Sequence, residues 1–103
     1  MIIEEAFKAL ANPLRLKILQ WLKEPEIHFA KMEHLPEEEQ GKGYVCVSLI
    51  KEKAQITQST TSSYLAILKK AGLLNSKRIG QWTYYQRDEE NIQRLARFIA
   101  TAL

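Results

Sequence analysis

Apolar positions along the 103-residue chain fall into periodic runs separated by short polar breaks. Ile2, Ile3, Ala6, Phe7 and Leu10 recur at helical spacing, so Met1 to Ala11 reads as a helix. Asn12-Pro13 breaks it and starts another, because Asn caps and Pro is accepted at the first helical position. Over Leu14 to Lys23, Leu14, Ile18, Leu22 and Trp21 then face a core, leaving Arg15 and Lys17 on the wetter side, and Pro25 ends the run. Val45 to Ala54 reads as a third helix, with Val45, Leu49 and Ile50 inward and Lys51 and Lys53 outward. Gln55-Ile56 makes a turn, and Thr57 can accept a hydrogen bond from the free N–H groups of the helix that follows. In that helix Thr61, Leu65, Leu68 and Gly72 form one stripe, at steps of four, three and four. Gln58, Ser59, Ser62 and Ser63 lie on or near the other side, short and uncharged. Lys69 and Lys70 sit near the C-terminal end, where the helix dipole favours cations, and Gly72 can supply the left-handed stop.

Beyond Leu74, the segment NSKRIGQWTYYQ predicts two short strands around a Gly80-Gln81 turn, with Lys77 and Arg78 on the leading arm. Asp88 opens a last helix, with Glu89 and Glu90 in its first turn. Ile92, Leu95, Ala96, Ile99, Ala102 and Leu103 then form a stripe that runs to the chain end. So small a domain has little interior left to cover it. Joined by Ile3, Phe7 and Leu10 of the first helix, residues Ile92, Leu95 and Ile99 are expected to form a two-fold dimer seam. The competing reading folds this helix back onto its own core.

Residues 24–44 break the pattern. EIHFAKMEHLPEEEQGKGY is long for a connection in a domain of this size, and Pro36, Gly41 and Gly43 argue against a long regular element. A short helix, a partner contact and a solvated loop are all compatible with it.

Charge sharpens this division. The net charge is only +3. Yet residues 24–44 hold six acids (Glu24, Glu26, Glu33, Glu37, Glu38, Glu39) against Lys31 and Lys42, a net of −4 that leaves +7 for the rest. Between Val45 and Tyr85 six Lys or Arg face one acid, Glu52, the balance expected of a polyanion-binding surface. The acidic segment itself should stay off nucleic acid. An apolar fraction of 46% supports a single folded domain over 1–103. No apolar run is long enough for a bilayer, and the N-terminus lacks a basic start and a cleavage site, so a cytoplasmic protein is expected. One cysteine makes no internal disulfide and is compatible with a reducing compartment.

A helix with an apolar back and small polar groups at its N-terminal front fits a DNA major groove, where amide and hydroxyl groups reach base edges. Followed by a basic hairpin and a helix, it gives a winged helix-turn-helix layout. The run TQSTTSSYLAILKKAGLL with SKRIGQWTYY resembles the ArsR/SmtB family of bacterial transcriptional regulators, and FKALANPLRLKILQWL is similar to that family's first two helices. Residues 24–44 are the exception and read as an insertion. The resemblance implies DNA contacts at Gln58, Ser59, Ser62 and Ser63, a capping and phosphate-binding role for Thr57, and wing contacts by Lys77, Arg78 and Gln81. Relatives more often carry His or Arg at position 63, so Ser63 implies weaker or different base reading. No Arg at the helix front can make the bidentate guanine contact, so selectivity is expected to lean on Gln58, DNA shape and half-site spacing.

Metal sensing, the best-known activity of that family, is where this chain departs. The thiolate pattern Cys-Val-Cys becomes Cys46-Val47-Ser48, and Asp88 has no histidine partner in the last helix. One thiol cannot assemble a soft four-ligand site within one chain, and His28, His34 and Glu33 are read as surface or packing residues, so neither a metal nor a cofactor is assigned. Nothing pairs a nucleophile with an oriented base, and an enzyme is not expected.

The expected fold is mainly α with a small β-hairpin: four helices, two strands, one helix. Helix 57–71 reads the DNA, the wing 75–86 grips backbone or minor groove, 1–11 and 89–103 pair two copies, and 24–44 is an acidic insertion loop. The expected function is sequence-specific binding of a homodimer to a palindromic operator in double-stranded DNA, with repression as the default. The alternative is a winged-helix module for protein–protein interaction, with DNA binding incidental.

Overall fold

The computed structural model describes residues 1–103 as six helices and a three-stranded antiparallel sheet. Helix α1 spans Ile3–Leu10 and α2 Pro13–Trp21. Asn12 separates them by capping: its Oδ1 accepts from the N–H groups of Leu14 and Arg15, both at 3.0 Å. Helix α2 stops at Trp21, and Pro25 does not end it. Pro25 instead opens a single helical turn, α3 (Pro25–His28), at the N-terminal position that suits a residue with no N–H. Arg15 is also placed differently from expectation. It is half-buried, its Nε donates to the Ala9 carbonyl at 2.7 Å and its guanidinium lies over the Tyr64 ring, so it closes the C-terminal end of α1.

A second correction concerns Val45 and Cys46. They begin no helix: they form a short strand, β1 (Val45–Cys46), and α4 runs only from Val47 to Ala54. The apolar pair fits both assignments by pattern, and β1 wins because it extends the hairpin, pairing Val45 with Tyr85 and Cys46 with Tyr84. Gln55 then stops α4 in the left-handed region (φ 56°), and α5 follows over Gln58–Lys70. Strands β2 (Leu74–Ile79) and β3 (Trp82–Arg87) flank the two-residue turn Gly80-Gln81, with Ile79 opposite Trp82. Gly80 has φ +60° while Gln81 stays at negative φ, the sign pattern of a type II′ hairpin turn. Helix α6 (Glu89–Ala102) starts at Asp88, whose carboxylate accepts from the Asn91 N–H at 3.1 Å.

The sheet order β1-β3-β2 separates two apolar clusters. On one side the main core gathers Ala6 and Ala9 of α1, Ile18 of α2, Ile50 of α4, Leu65 and Leu68 of α5, Leu74 of β2 and Leu95 of α6. On the other, Leu35 meets Cys46 and Tyr84, with Met32, Tyr44, Ile79 and Trp82 around them. Residues 24–44 therefore form no free loop. They carry α3 and a short 3₁₀ turn, Glu37–Glu39; Phe29 packs on the main core, and Met32, Leu35 and Tyr44 cover the outer face of the sheet. The strand period dictates this split: Val45 and Cys46 are neighbours, so one enters each cluster.

Candidate nucleic-acid interface

Helix α5 presents its N-terminal end to solvent. Thr57 caps it as its sequence position suggests, the hydroxyl oxygen accepting from the Thr60 N–H at 3.1 Å. The Thr57 hydroxyl donates in turn to Thr60 Oγ1 at 3.0 Å, so the cap occupies both sides of that group. The free anion-binding groups at this end are then the first backbone N–H groups of the helix, which have no partner within it. Buried Thr61 donates its hydroxyl to the Thr57 carbonyl at 2.8 Å, fixing the first turn from the core side. Leu65 and Leu68 are fully buried beneath it, so the rotation of the helix is set by packing.

That rotation leaves Gln58, Ser59, Ser62 and Ser63 exposed on one end of the helix. Gln58 Nε2 lies 3.3 Å from Ser62 Oγ, a pair one turn apart that can open toward base edges. Their burial is low, and their side-chain contacts are Gln58 with Ser62 and Ser59 with Thr57, so presenting them to a groove breaks no core interaction. Lys69 and Lys70 are exposed at the far end, and Lys69 Nζ donates to Ser76 Oγ at 2.6 Å, tying α5 to β2.

In the wing, the structure separates residues that the sequence sets side by side. Successive strand residues point to opposite faces. Ser76 and Arg78 share the face that Lys69 reaches from α5. Lys77 lies on the other face, opposite Tyr84, where its Nζ meets Glu39 Oε1 at 2.5 Å. Glu39 is 8% exposed, and its second oxygen lies 3.4 Å from Lys42 Nζ. The bond from Lys77 holds the Glu39 carboxyl below the usual carboxylate range, against the opposing effect of burial. The same bond raises the Lys77 ammonium. Arg78 and Gln81 remain exposed at the tip, where Arg78 Nε donates to the Gly80 carbonyl at 3.3 Å. Composition alone makes the acidic segment a bystander and carries no signal for the contact of Glu39 with the wing, whereas strand alternation does part Lys77 from Arg78.

The remaining surfaces differ in character. A cleft of about 930 Å³ opens between residues 23–44 and the start of α6, floored by Phe29, Met32 and Leu35. Its rim mixes Lys31 and Lys42 with Glu89 and Glu90, which gives no single-sign field for a polyanion. His28, His34 and Cys46 do not converge, and no group of three His, Cys, Asp or Glu comes together that could hold a metal ion. His34 stacks on Trp82 at 4.6 Å, and Cys46 Sγ lies 3.3 Å from Ser48 Oγ, the hydroxyl standing where the sensor pattern has its second thiol. The donor set therefore does not fit the family's thiolate site.

Of the expected dimer residues, Phe7 (37% exposed) and Ile99 (46%) are open to solvent, with Phe98 beside Phe7 at a ring separation of 6.3 Å. Ile3, Leu10 and Ile92 are half-buried against the core. Leu95 is buried in its own chain, so this part of the α6 stripe packs on the core while Ile99 stays open. No helix is long and apolar enough to cross a membrane.

Comparison with known proteins matches residues 41–76 to the family described as bacterial regulatory protein, arsR family. The chain is 54% identical over 99 residues to the Bacillus subtilis HTH-type transcriptional regulator YbzH, covering 96% of each. It is 32% identical to the arsenical resistance operon repressor of the same species, over 89% of this chain and 71% of that one. A solution structure from Mycobacterium bovis, the homodimeric winged helix-turn-helix DNA-binding domain of a possible ArsR-family transcriptional regulator, aligns with TM-score 0.66 and 27% identity. That alignment covers 97% of this chain and 76% of the other.

Proposed function

The chain belongs to the arsR family of bacterial regulatory proteins, and on that premise we propose that it represses transcription as a homodimer seated on a palindromic operator. The observation that carries this reading is the uncharged, exposed front of α5, with Gln58, Ser59, Ser62 and Ser63 held outward by a buried back. In each copy these side chains enter a major groove, with the two grooves about 34 Å apart on one face of the duplex. Gln58 is the one side chain there able to pair both an acceptor and a donor with an adenine edge. The first-turn N–H groups beside Thr57 take a phosphate, and Arg78 and Gln81 at the wing tip hold the adjacent backbone or minor groove. The acidic segment 24–44 stays clear of the duplex. The chain acts in the cytoplasm, where its DNA is, and as a binding protein without catalysis.

Two copies pair through α1 and α6. Phe7, Phe98 and Ile99 supply an apolar face that one chain leaves open, and the Mycobacterium bovis domain of the same fold is homodimeric. Repression then follows from occupancy, since a dimer spanning two grooves covers promoter DNA.

The decisive experiment selects bound fragments from random duplexes, then measures the recovered site against an excess of non-specific DNA. The wild type is expected to prefer the site by ~10³-fold or more, with affinity falling steeply as salt rises. Gln58→Ala with Ser62→Ala should erase that preference, keep the residual non-specific binding and leave thermal unfolding unchanged. A double variant as selective as the wild type would show that another surface reads the bases.

A further inference from the structure

Resting on the DNA-binding reading above, we propose that Glu39 is a positioning residue for the wing. It fixes Lys77 on the face of β2 turned away from α5 and takes up its charge, so that the wing engages DNA through Arg78 and the tip while Lys77 makes no phosphate contact.

Register and contacts support this together. Asn75, Lys77 and Ile79 share one face of β2 with their partners Gln86, Tyr84 and Trp82 on β3. Residues 32–44 cover that face from base to tip: Gln86 Nε2 donates to the Lys42 carbonyl at 2.7 Å, Leu35 packs on Tyr84, and His34 stacks on Trp82. Glu39 is the only charged residue buried in the molecule, and its carboxylate is aimed at Lys77. Were Lys77 to swing to a phosphate, Glu39 would be left nearly buried with Lys42 alone at 3.4 Å. Lys77 is itself about half exposed, so the cost falls on Glu39, whose side chain is 11% exposed and keeps its desolvation penalty when the ammonium leaves. Arg78 carries no comparable tie, since its one contact is the carbonyl of its own turn.

Counterion release counts phosphate contacts, each contributing about 0.9 to the slope of log affinity against log salt. Arg78→Met is expected to flatten the slope by about 0.9, and Lys77→Met to leave it unchanged. Glu39→Gln frees the ammonium and should steepen the slope by up to about 0.9, with several-fold tighter binding at low salt, and adding Lys77→Met should restore the wild-type slope. A Lys77→Met slope flattened as much as that of Arg78→Met overturns the proposal, and so does a Glu39→Gln slope identical to the wild type. Should Glu39→Gln fail to fold, the Lys77→Met comparison decides alone. Carboxyl NMR titration of the free protein reports the pair without DNA. Glu39 should titrate below an ordinary glutamate in the wild type and higher in Lys77→Met, and an ordinary wild-type titration sinks the proposal. Wild-type protein with a normal Glu39–Lys77 pair that binds no duplex would instead overturn the DNA-binding reading.

Discussion

Single residues decide where helices begin and end in this chain, and two of them make opposite predictions. Asn12 satisfies two N–H groups of α2 and also donates to the Tyr64 hydroxyl at 3.3 Å, linking that cap to the middle of α5. Asn12→Ala is expected to lower unfolding free energy by about 1–2 kcal/mol in a denaturant titration. Gln55 is the one non-glycine residue at positive φ, in a conformation that costs an L-residue roughly 1–2 kcal/mol. Gln55→Gly removes that strain and adds chain entropy to the unfolded state, so a net gain of about 0.5–1 kcal/mol is expected from the same titration. The caps at Asn12, Thr57 and Asp88 were legible in the sequence because a cap needs only a short polar side chain at a helix start. The role of Arg15 was not legible, since the carbonyls it closes belong to another helix and the ring beneath it is far away in sequence.

At the level of elements, recognition helix and hairpin followed from period and turn chemistry, whereas residues 24–44 did not. Leu35 and Met32 sit among acids, prolines and glycines with no period to mark them as core, and only the sheet face they cover gives them a place. Leu35→Ala should cost about 2–4 kcal/mol and expose 29–44 to limited proteolysis before the rest of the domain unfolds. The same logic explains β1: a two-residue strand has no internal signal, and its existence depends on the free edge of β3. The pair of Glu39 with Lys77 adds a pH signature. Glu39 titrates below its unfolded value of about 4.5, so its contribution is complete above that pH and disappears as pH falls through the lowered folded value. Lys77 titrates above 10.5, so its contribution is lost only as pH rises through the raised value. The difference in denaturation midpoint between wild type and Lys77→Met should therefore be constant from about pH 5 to 10 and shrink toward either extreme.

For the whole molecule, the proposed seam through α1 and α6 would set what the two reading helices can span. Phe7→Glu with Ile99→Glu places four acids in a two-fold interface, and sedimentation should show monomers that keep their helix content and lose tight operator binding. An unchanged dimer would remove α1 and α6 from the interface. Ile92 and Leu95 are unsuitable for this test because each packs on its own core, a distinction the helical stripe could not make: period identifies an apolar face without saying which part of it a partner covers.

One small knot joins the end of α5 to the start of α6, the two helices to which the proposal gives DNA reading and pairing. Asn91, in the first turn of α6, gives its side-chain amide to the Gly72 carbonyl at 2.9 Å, and the Asp88 N–H reaches the Leu73 carbonyl at 2.9 Å. A methyl group at Gly72 would lie 3.0 Å from that amide, so the joint is closed on both sides. The trailing end of the reading rod is thus pinned to the leading end of the pairing rod. If two copies pair through α6 as proposed, a tilt of one against the other changes the distance between the two reading tips. On a duplex whose grooves recur at a fixed interval, the proposed dimer would then have its grip set by that tilt, with no change to a base-contacting side chain.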